Sequence, residues 1–341
     1  METAEISRRS FLRLGLCAGA GAALAVAAPG LGLWPHPDAR AGEKSGLRRR
    51  GGLLLLPDRG KVFVANDFHA RFRDYQKWLE RTDVEARWKK GEDVYALIVG
   101  DVVDRKSSDT ESDADGDKRI LESIRRIRKT LGKKAGRFIV LRGNHENRVL
   151  AIYTKMKEKM KPGPGGRAEA VRKLYESPSG AYYRQFNFIE RIDEEDVRML
   201  GSMPVAAVGP QGLAFLHGGP SKSLAKLKDI VDLRAEVVKE LLWARPKPVD
   251  AEGYDAADLR RLLTVLGGST LLVSGHTPLS YLPPGWIRSG IGIMENLQVI
   301  LAASYGSKGG RKSYLHLDLA KAYAGTSGLT AGKEIHPLIP K

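Results

Sequence analysis

Five short segments hold the residues of this sequence that could do chemistry. They are Asn66-Asp67-Phe68-His69, Gly100-Asp101-Val102-Val103-Asp104-Arg105, Arg142-Gly143-Asn144-His145-Glu146, His217-Gly218-Gly219 and Ser274-Gly275-His276-Thr277-Pro278. Imidazoles mixed with carboxylates suit zinc, iron or manganese, whereas all-oxygen sets suit magnesium or calcium. A lone histidine is ordinarily a satisfied core or surface residue, but four of the six histidines beyond residue 41 fall in these segments. Asp67, His69, Asp101, Asn144, His217 and His276 are more donors than one catalytic ion needs. Two ions sharing a bridging carboxylate is the economical reading. Such ions, about 3.5–4 Å apart, clamp the attacking and leaving oxygens of an in-line displacement at phosphorus. They also bring a bridging water toward a neutral pKa, so a hydroxide can attack without any Ser or Cys nucleophile.

Each segment follows an apolar run, and those runs must do the positioning. Leu53–Leu56, Val62–Ala65, Val94–Val99, Phe138–Leu141, Val205–Val208, Leu213–Leu216, Leu271–Val273 and Leu297–Ala302 are Leu-rich or β-branched and bounded by turn residues, as buried strands are. Helical patterns alternate with them at Asp74–Lys89, Arg119–Leu131, Arg167–Tyr175 and Ala256–Leu266. Alternating strands and helices predict an α/β layered domain with mixed sheets. In open α/β sheets the crevice beyond the strand carboxyl ends is the ligand site, which is where all five segments lie.

The five segments together resemble the calcineurin-like metallophosphoesterases, and within them the phosphoprotein phosphatase branch. That branch carries GDxHG, GDxVDRG, RGNHE, HGG and a late His, and Leu141 to Glu146 matches its third motif outright. His217-Gly218-Gly219-Pro220-Ser221 ahead of Leu227–Leu233, Leu241-Leu242-Trp243 and Ser304-Tyr305-Gly306 extend the likeness across residues 61–319. The resemblance implies a four-layer α/β/β/α sandwich with mixed sheets. It implies that Asp67, His69 and Asp101 hold a first ion, and that Asp101 bridges to a second completed by Asn144, His217 and His276. His145 would protonate the leaving oxygen, oriented by Asp104. Arg105 would fork onto two phosphoryl oxygens, Tyr305 would contact the substrate phosphate, and Arg142 stands as a further substrate-facing candidate or as a partner of Glu146 beneath the site.

This chain departs from that pattern in places. Asn66 and Ala70 replace the glycines flanking the first Asp-x-His, and Lys106 replaces the glycine after Asp-Arg. Ala244-Arg245 stands where the branch has Ser-Asp, and its second phosphate-binding Arg has no motif-level counterpart, with Arg245, Arg260 and Arg261 in the right region.

The N-terminus reads Ser7-Arg8-Arg9-Ser10-Phe11-Leu12-Arg13, then a Gly- and Ala-rich apolar stretch closing at Ala39-Arg40-Ala41. It resembles a twin-arginine (Tat) export signal, so residues 1–41 are expected to be a signal peptide and the protein periplasmic or otherwise exported by the Tat machinery. An uncleaved membrane anchor is the alternative, and membrane contact is expected only in that case. Residues 42–60 read as a linker and N-terminal strand, 61–320 as the catalytic domain and 321–341 as a tail.

The whole chain has 341 residues, 42% hydrophobic, which is globular. Its single cysteine, Cys17, excludes an intrachain disulfide and a Cys-rich zinc site. A net charge of +16 favours anionic partners without choosing among them. Nucleic-acid binding is not expected, because no base-stacking motif accompanies the charge. The acidic stretch 107–118 holds an EF-hand-like spacing from Glu111 to Glu122, but Lys118 occupies its apolar place and no helix precedes it, so a solvated loop is expected.

The reading is an exported phosphoric monoester hydrolase with two Mn, Fe or Zn ions, acting first on phosphoprotein (Ser, Thr or Tyr). A nucleotide or dinucleoside-polyphosphate hydrolase and a phosphate-binding pseudoenzyme are the alternatives.

Overall fold

A computed structural model of the chain describes residues 46–105, 111, 113–163, 165–184, 187–305 and 311–339. The export signal read at residues 1–41 lies outside the described residues, as do 107–110 and 112 of the acidic stretch.

Thirteen strands occur among the described residues: β1 (Arg48–Arg50), β2 (Leu53–Leu55), β3 (Lys61–Ala65), β4 (Val94–Ile98), β5 (Phe138–Val140), β6 (Ala206–Val208), β7 (Leu213–Leu216), β8 (Leu271–Ser274), β9 (Ile287–Arg288), β10 (Ile291–Met294), β11 (Gln298–Leu301), β12 (Ser313–Asp318) and β13 (Ile335–Pro337). They form a five-stranded sheet, β13-β12-β3-β4-β5, and an eight-stranded sheet, β1-β2-β6-β7-β8-β11-β10-β9. Every expected apolar run supplies a strand. β1 and β2 lie in residues read as a linker and strand, and β13 in residues read as a tail.

Apolar residues run continuously along the central strands because each strand is covered on both faces. Val62 and Val64 of β3 enter a core that also holds Phe215, Leu271 and Val273 of the other sheet. Phe63 and Ala65 point the opposite way, toward Trp78, Ile120 and Ile124. In the same manner Ala214, Leu216 and Leu272 face Leu241, Leu259 and Leu262. This period of two places one core between the sheets and one outside each, so the α/β layers expected from the alternation are present with two mixed sheets.

The outer layer on the five-stranded sheet comprises α1 (Phe72–Thr82), α2 (Val84–Lys89), α3 (Gly116–Leu131), α4 (Asn144–Lys159), α5 (Gly166–Glu176), α6 (Gly180–Arg184) and α7 (Glu194–Gly201). On the eight-stranded sheet lie α8 (Leu227–Val231), α9 (Ala235–Trp243) and α10 (Ala256–Val265). The single helix expected at Asp74–Lys89 is two, because Asp83 adopts the left-handed conformation at φ 50° and its N–H closes on Leu79 O at 3.0 Å. Asp tolerates that conformation better than most residues.

Two runs of parallel strands decide where the site lies. β3, β4 and β5 are mutually parallel, and so are β7, β8 and β11. Asp67, Asp101 and Asn144 therefore emerge at one end of the first sheet, and His217, His276 and Tyr305 follow the strand ends of the second.

Candidate metal and active site

The loops at this rim turn sharply. Eleven non-glycine residues among those described have positive φ, and six of them are Asp67, His69, Ala70, Asp101, Asp104 and His276. Such conformations cost of order 1 kcal/mol or more each and persist only where surroundings impose them. Glu146 is one source of that constraint. It lies at the third position of α4, and its carboxylate accepts from the backbone N–H of Gly143 (2.8 Å), Asp101 (2.9 Å), Val102 (2.8 Å) and Val103 (3.2 Å). One buried carboxylate thus ties the β4 loop to the helix after β5. Asp101 Oδ1 in turn accepts from His145 N–H at 3.0 Å, at the positive end of α4.

Each of three histidines is held from behind by a backbone carbonyl. His69 Nδ1 is 3.3 Å from Val103 O, His217 Nδ1 is 2.8 Å from Val99 O, and His276 Nε2 is 3.1 Å from Trp243 O. A ring N–H donated to a carbonyl leaves the other nitrogen as a lone pair for a metal, with its direction fixed. Those other nitrogens converge. His69 Nε2 and His217 Nε2 lie 3.3 and 3.2 Å from Asp101 Oδ2, and His217 Nε2 and His276 Nδ1 lie 2.8 and 3.0 Å from Asn144 Oδ1. His145 is arranged differently, since its Nδ1 is 2.6 Å from Asp104 Oδ2.

Ligand atoms of Asp101, His217 and His276 lie within 4.8 Å of one another, and so do those of Asp101, His69 and His145; Asp101 belongs to both groups. Asp67 adjoins them. Its Oδ2 accepts from His276 N–H at 3.0 Å and from the Asn66 amide, while its Oδ1 is buried with no hydrogen-bond partner. Burial pushes Asp67 up to about 7 despite the neighbouring His217. Burial also resists a charge on His217, but Asp101 and Asp67 outweigh it and raise the imidazole to about 9. For Asp101 the surrounding imidazoles overcome burial and hold its carboxyl well below the usual range. A buried carboxylate oxygen without a partner, beside imidazole nitrogens directed at the same space, is what a cation would satisfy. The donors fit two ions of the zinc, iron or manganese type.

Above this cluster is a cavity of about 170 Å³, lined by Asp67, His69, Asp101, Asn144, His145, His276 and Tyr305, with Trp243, Arg245, Pro278 and Tyr281. His217 is fully buried beneath it, and Asp104 lies behind His145. Tyr305 meets His69 edge-on at 4.9 Å. Two expected residues do not line the cavity. Arg142 donates from Nη2 to Gly201 O at 2.7 Å, the carboxyl end of α7, rather than facing the cavity or pairing with Glu146. Arg105 has its Nε buried without a partner and lies outside the lining. The acidic stretch spreads its carboxylates apart: Glu111 pairs with Arg71 at 2.8 Å, Asp117 with Arg191 at 2.5 Å, and Glu122 is exposed on α3.

A family model described as calcineurin-like phosphoesterase matches residues 60–280. The chain belongs to that family. It is a phosphoester hydrolase family, and the buried histidine and aspartate clusters suit its divalent metals. Among solved structures, a point mutant of a cold-active protein tyrosine phosphatase is 17% identical with a TM-score of 0.51, over 86% of this chain and 83% of that one. A protein serine/threonine phosphatase from Saccharomyces cerevisiae is 20% identical with a TM-score of 0.45, over 75% and 72% of the two chains. A protein described as a diadenosine tetraphosphatase is 18% identical with a TM-score of 0.46, over 78% and 93%. No curated protein sequence gives a significant match.

In this calcineurin-like phosphoesterase Tyr281 and Asn66 were not legible as site residues, and Arg245 was legible only as one of three arginines in the right region. Arg245 follows the Leu-Leu-Trp segment without a motif of its own, yet its Nε lies 3.2 Å from His276 Nε2. Tyr281 is an exposed aromatic on the rim, and nothing in its local sequence marks it. Asn66, at a family glycine, is fully buried and spans the two sheets: its Nδ2 donates to Leu301 O at 2.8 Å and its Oδ1 accepts from Ala303 N–H at 3.0 Å. Gly275 makes room for it, since a Cβ there would stand 2.4 Å from Asn66 Nδ2.

Proposed function

We propose that this chain hydrolyses phosphoric monoesters, with phosphoprotein as its first substrate class. The observation that carries the reading is Asp101, common to two buried donor groups, with the His145–Asp104 pair beside it. Asp67, His69 and Asp101 would hold one ion, and Asp101, Asn144, His217 and His276 the other. When bound, the ions supply charge neutralisation on the phosphoryl oxygens and lower the pKa of the attacking water. His145 presents Nε2–H to the leaving oxygen and transfers that proton as the P–O bond breaks. Asp104 accepts the Nδ1–H at 2.6 Å, which keeps the ring oriented and compensates its charge before transfer. Arg245 offers guanidinium N–H groups to the phosphoryl oxygens from beside His276, and Tyr305 bounds the site against His69.

The test is hydrolysis of p-nitrophenyl phosphate by the chain stripped of metal and reloaded with Mn, Fe or Zn. Turnover should return with metal and vanish in Asp101→Asn. Bound metal without turnover in any form would sink this reading. The Gly275-His276-Thr277-Pro278 segment favours a second reading, a nucleotide or dinucleoside-polyphosphate hydrolase, and a phosphopeptide compared with a dinucleoside polyphosphate separates the two.

Export by the twin-arginine route belongs to the same proposal and rests on Arg8-Arg9 and Ala39-Arg40-Ala41. Replacing Arg8 and Arg9 by Lys together should trap the chain inside the cell, and N-terminal sequencing of the exported form should begin at Gly42.

A further inference from the structure

A second cavity, of about 290 Å³, adjoins the catalytic one and shares two walls with it, Trp243 and Arg245. It is formed by the chain after His217, the end of α9 and the segment leading to Tyr254. Its volume is close to the lower bound for small-molecule sites, about 300 Å³, which suits a ring-sized group and not an extended chain.

The polar side chains around this cavity are engaged or at its edge. Glu240 is occupied by Ser221 Oγ at 2.5 Å and by the N–H and hydroxyl of Ser223 at 2.9 and 3.1 Å. Lys222 donates to Glu252 O at 2.9 Å, and Lys222, Lys239, Asp250 and Glu252 are all exposed. The Tyr254 hydroxyl is held by Gln298, which leaves its ring to the cavity. What remains inside is Pro220, Trp243, Ala244 and the Tyr254 ring. The Trp243 indole is fixed by the Arg148 guanidinium, 5.3 Å from its ring centre, and by the His276 ring, edge-on at 5.9 Å. A fixed indole with apolar neighbours is a surface for a flat ring.

Arg245 stands between the two chambers. It makes no ion pair among the described residues, and its Nε lies 3.2 Å from His276 Nε2, whose proton is directed at Trp243 O. A half-buried guanidinium without a carboxylate is suited to an anion on the catalytic side. Because Trp243 and Arg245 line both chambers, the ester group of a phosphoryl ligand at the metal cluster has the second chamber beside it.

We infer that the second cavity is a leaving-group pocket for an aromatic ester, so that aryl phosphates, including phosphotyrosine side chains, are the substrate class this site favours. The inference rests on the phosphomonoesterase reading above and narrows it.

The experiment is equilibrium binding of phenylphosphonate and methylphosphonate to the manganese-loaded chain by calorimetry, which needs no turnover. Phenylphosphonate should bind at least about tenfold more tightly, the scale expected for burying one ring. In Ala244→Phe, which fills the cavity, the ratio should fall toward one in protein whose melting curve matches the parent. Equal affinities in the parent chain would overturn the inference, whatever the variant does. So would a phenyl preference that persists in folded Ala244→Phe. Failure to turn over p-nitrophenyl phosphate, with the phenyl preference present, would instead overturn the hydrolase reading and leave the pocket standing.

Discussion

The two sheets build their halves of the rim in different ways. The five-stranded half is self-supporting: Asp67, His69, Asp101, Asn144 and His145 come from three adjacent parallel strands, and Glu146 alone ties two of those loops through four backbone N–H groups. The eight-stranded half supplies His217 and His276 but borrows part of its orientation. His217 leans on Val99 O, just beyond β4 of the opposite sheet, and His276 donates its backbone N–H to Asp67. The same half supplies Trp243, Arg245 and Tyr281, which line the cavity without belonging to either donor group. On the proposed function, one half would fix donors and the proton, while the other would close the metal set and decide what enters. Asn66 is the seam between them.

The largest effect should come from the proton donor in the self-supporting half. His145→Asn should lower kcat by about 10²–10⁴-fold with KM little changed. The loss should be smaller for p-nitrophenyl phosphate than for an alkyl phosphate, because nitrophenolate leaves without a proton. Equal losses on both would assign His145 to metal binding instead, consistent with its place beside His69 and Asp101.

Arg245→Ala tests the substrate-facing half. Losing a charged hydrogen-bond donor is worth about 1.5–3 kcal/mol, so kcat/KM should fall roughly 10- to 100-fold, mostly through KM. A fall in kcat alone, with metal content reduced, would show that Arg245 supports His276 and that the division between halves is wrong.

Asn66→Gly cuts the seam by restoring the residue the family carries. Two hydrogen bonds between sheets and one to Asp67 disappear, at about 2 kcal/mol in urea unfolding. Metal content by elemental analysis should fall from two ions toward one. Two ions retained at full stability would mean the halves hold their register without it.

The smallest effect is expected at Ala70, buried at φ 62° behind His69. Glycine reaches that conformation freely, so Ala70→Gly should stabilise the fold by about 0.5–1 kcal/mol in urea, net of its greater unfolded-state entropy. Destabilisation would mean that packing of the Ala70 methyl outweighs backbone strain.

Much of the fold was legible because burial on both faces writes itself as continuous apolar runs, and all eight expected strands are present. β12 was not, because Ser313–Asp318 mixes polar and apolar residues and its place beside β3 depends on a strand some 250 residues earlier. The break at Asp83 was equally hidden, since the apolar spacing continues through it into α2.

The sequence by itself singled out the candidate donors and the chemistry their types suit. Asp67, His69, Asp101, Asn144, His145, His217 and His276 each stand within five residues of a strand's carboxyl end, where residue type and a tight turn are local properties, and parallel packing brings such ends together. Tertiary structure alone decided the rest. Arg142, a candidate for the substrate or for Glu146, turns to the end of α7 because the carbonyl of Gly201 is there, and Arg245, one of three arginines in the right region, reaches the cavity because α9 ends beside His276. Asn66 finds its partners at Leu301 and Ala303, more than 230 residues away, once the two sheets stack. Spacing along a chain encodes the direction of neighbours a few residues apart; contacts across a sandwich are set by which faces must leave water, and no local pattern records them.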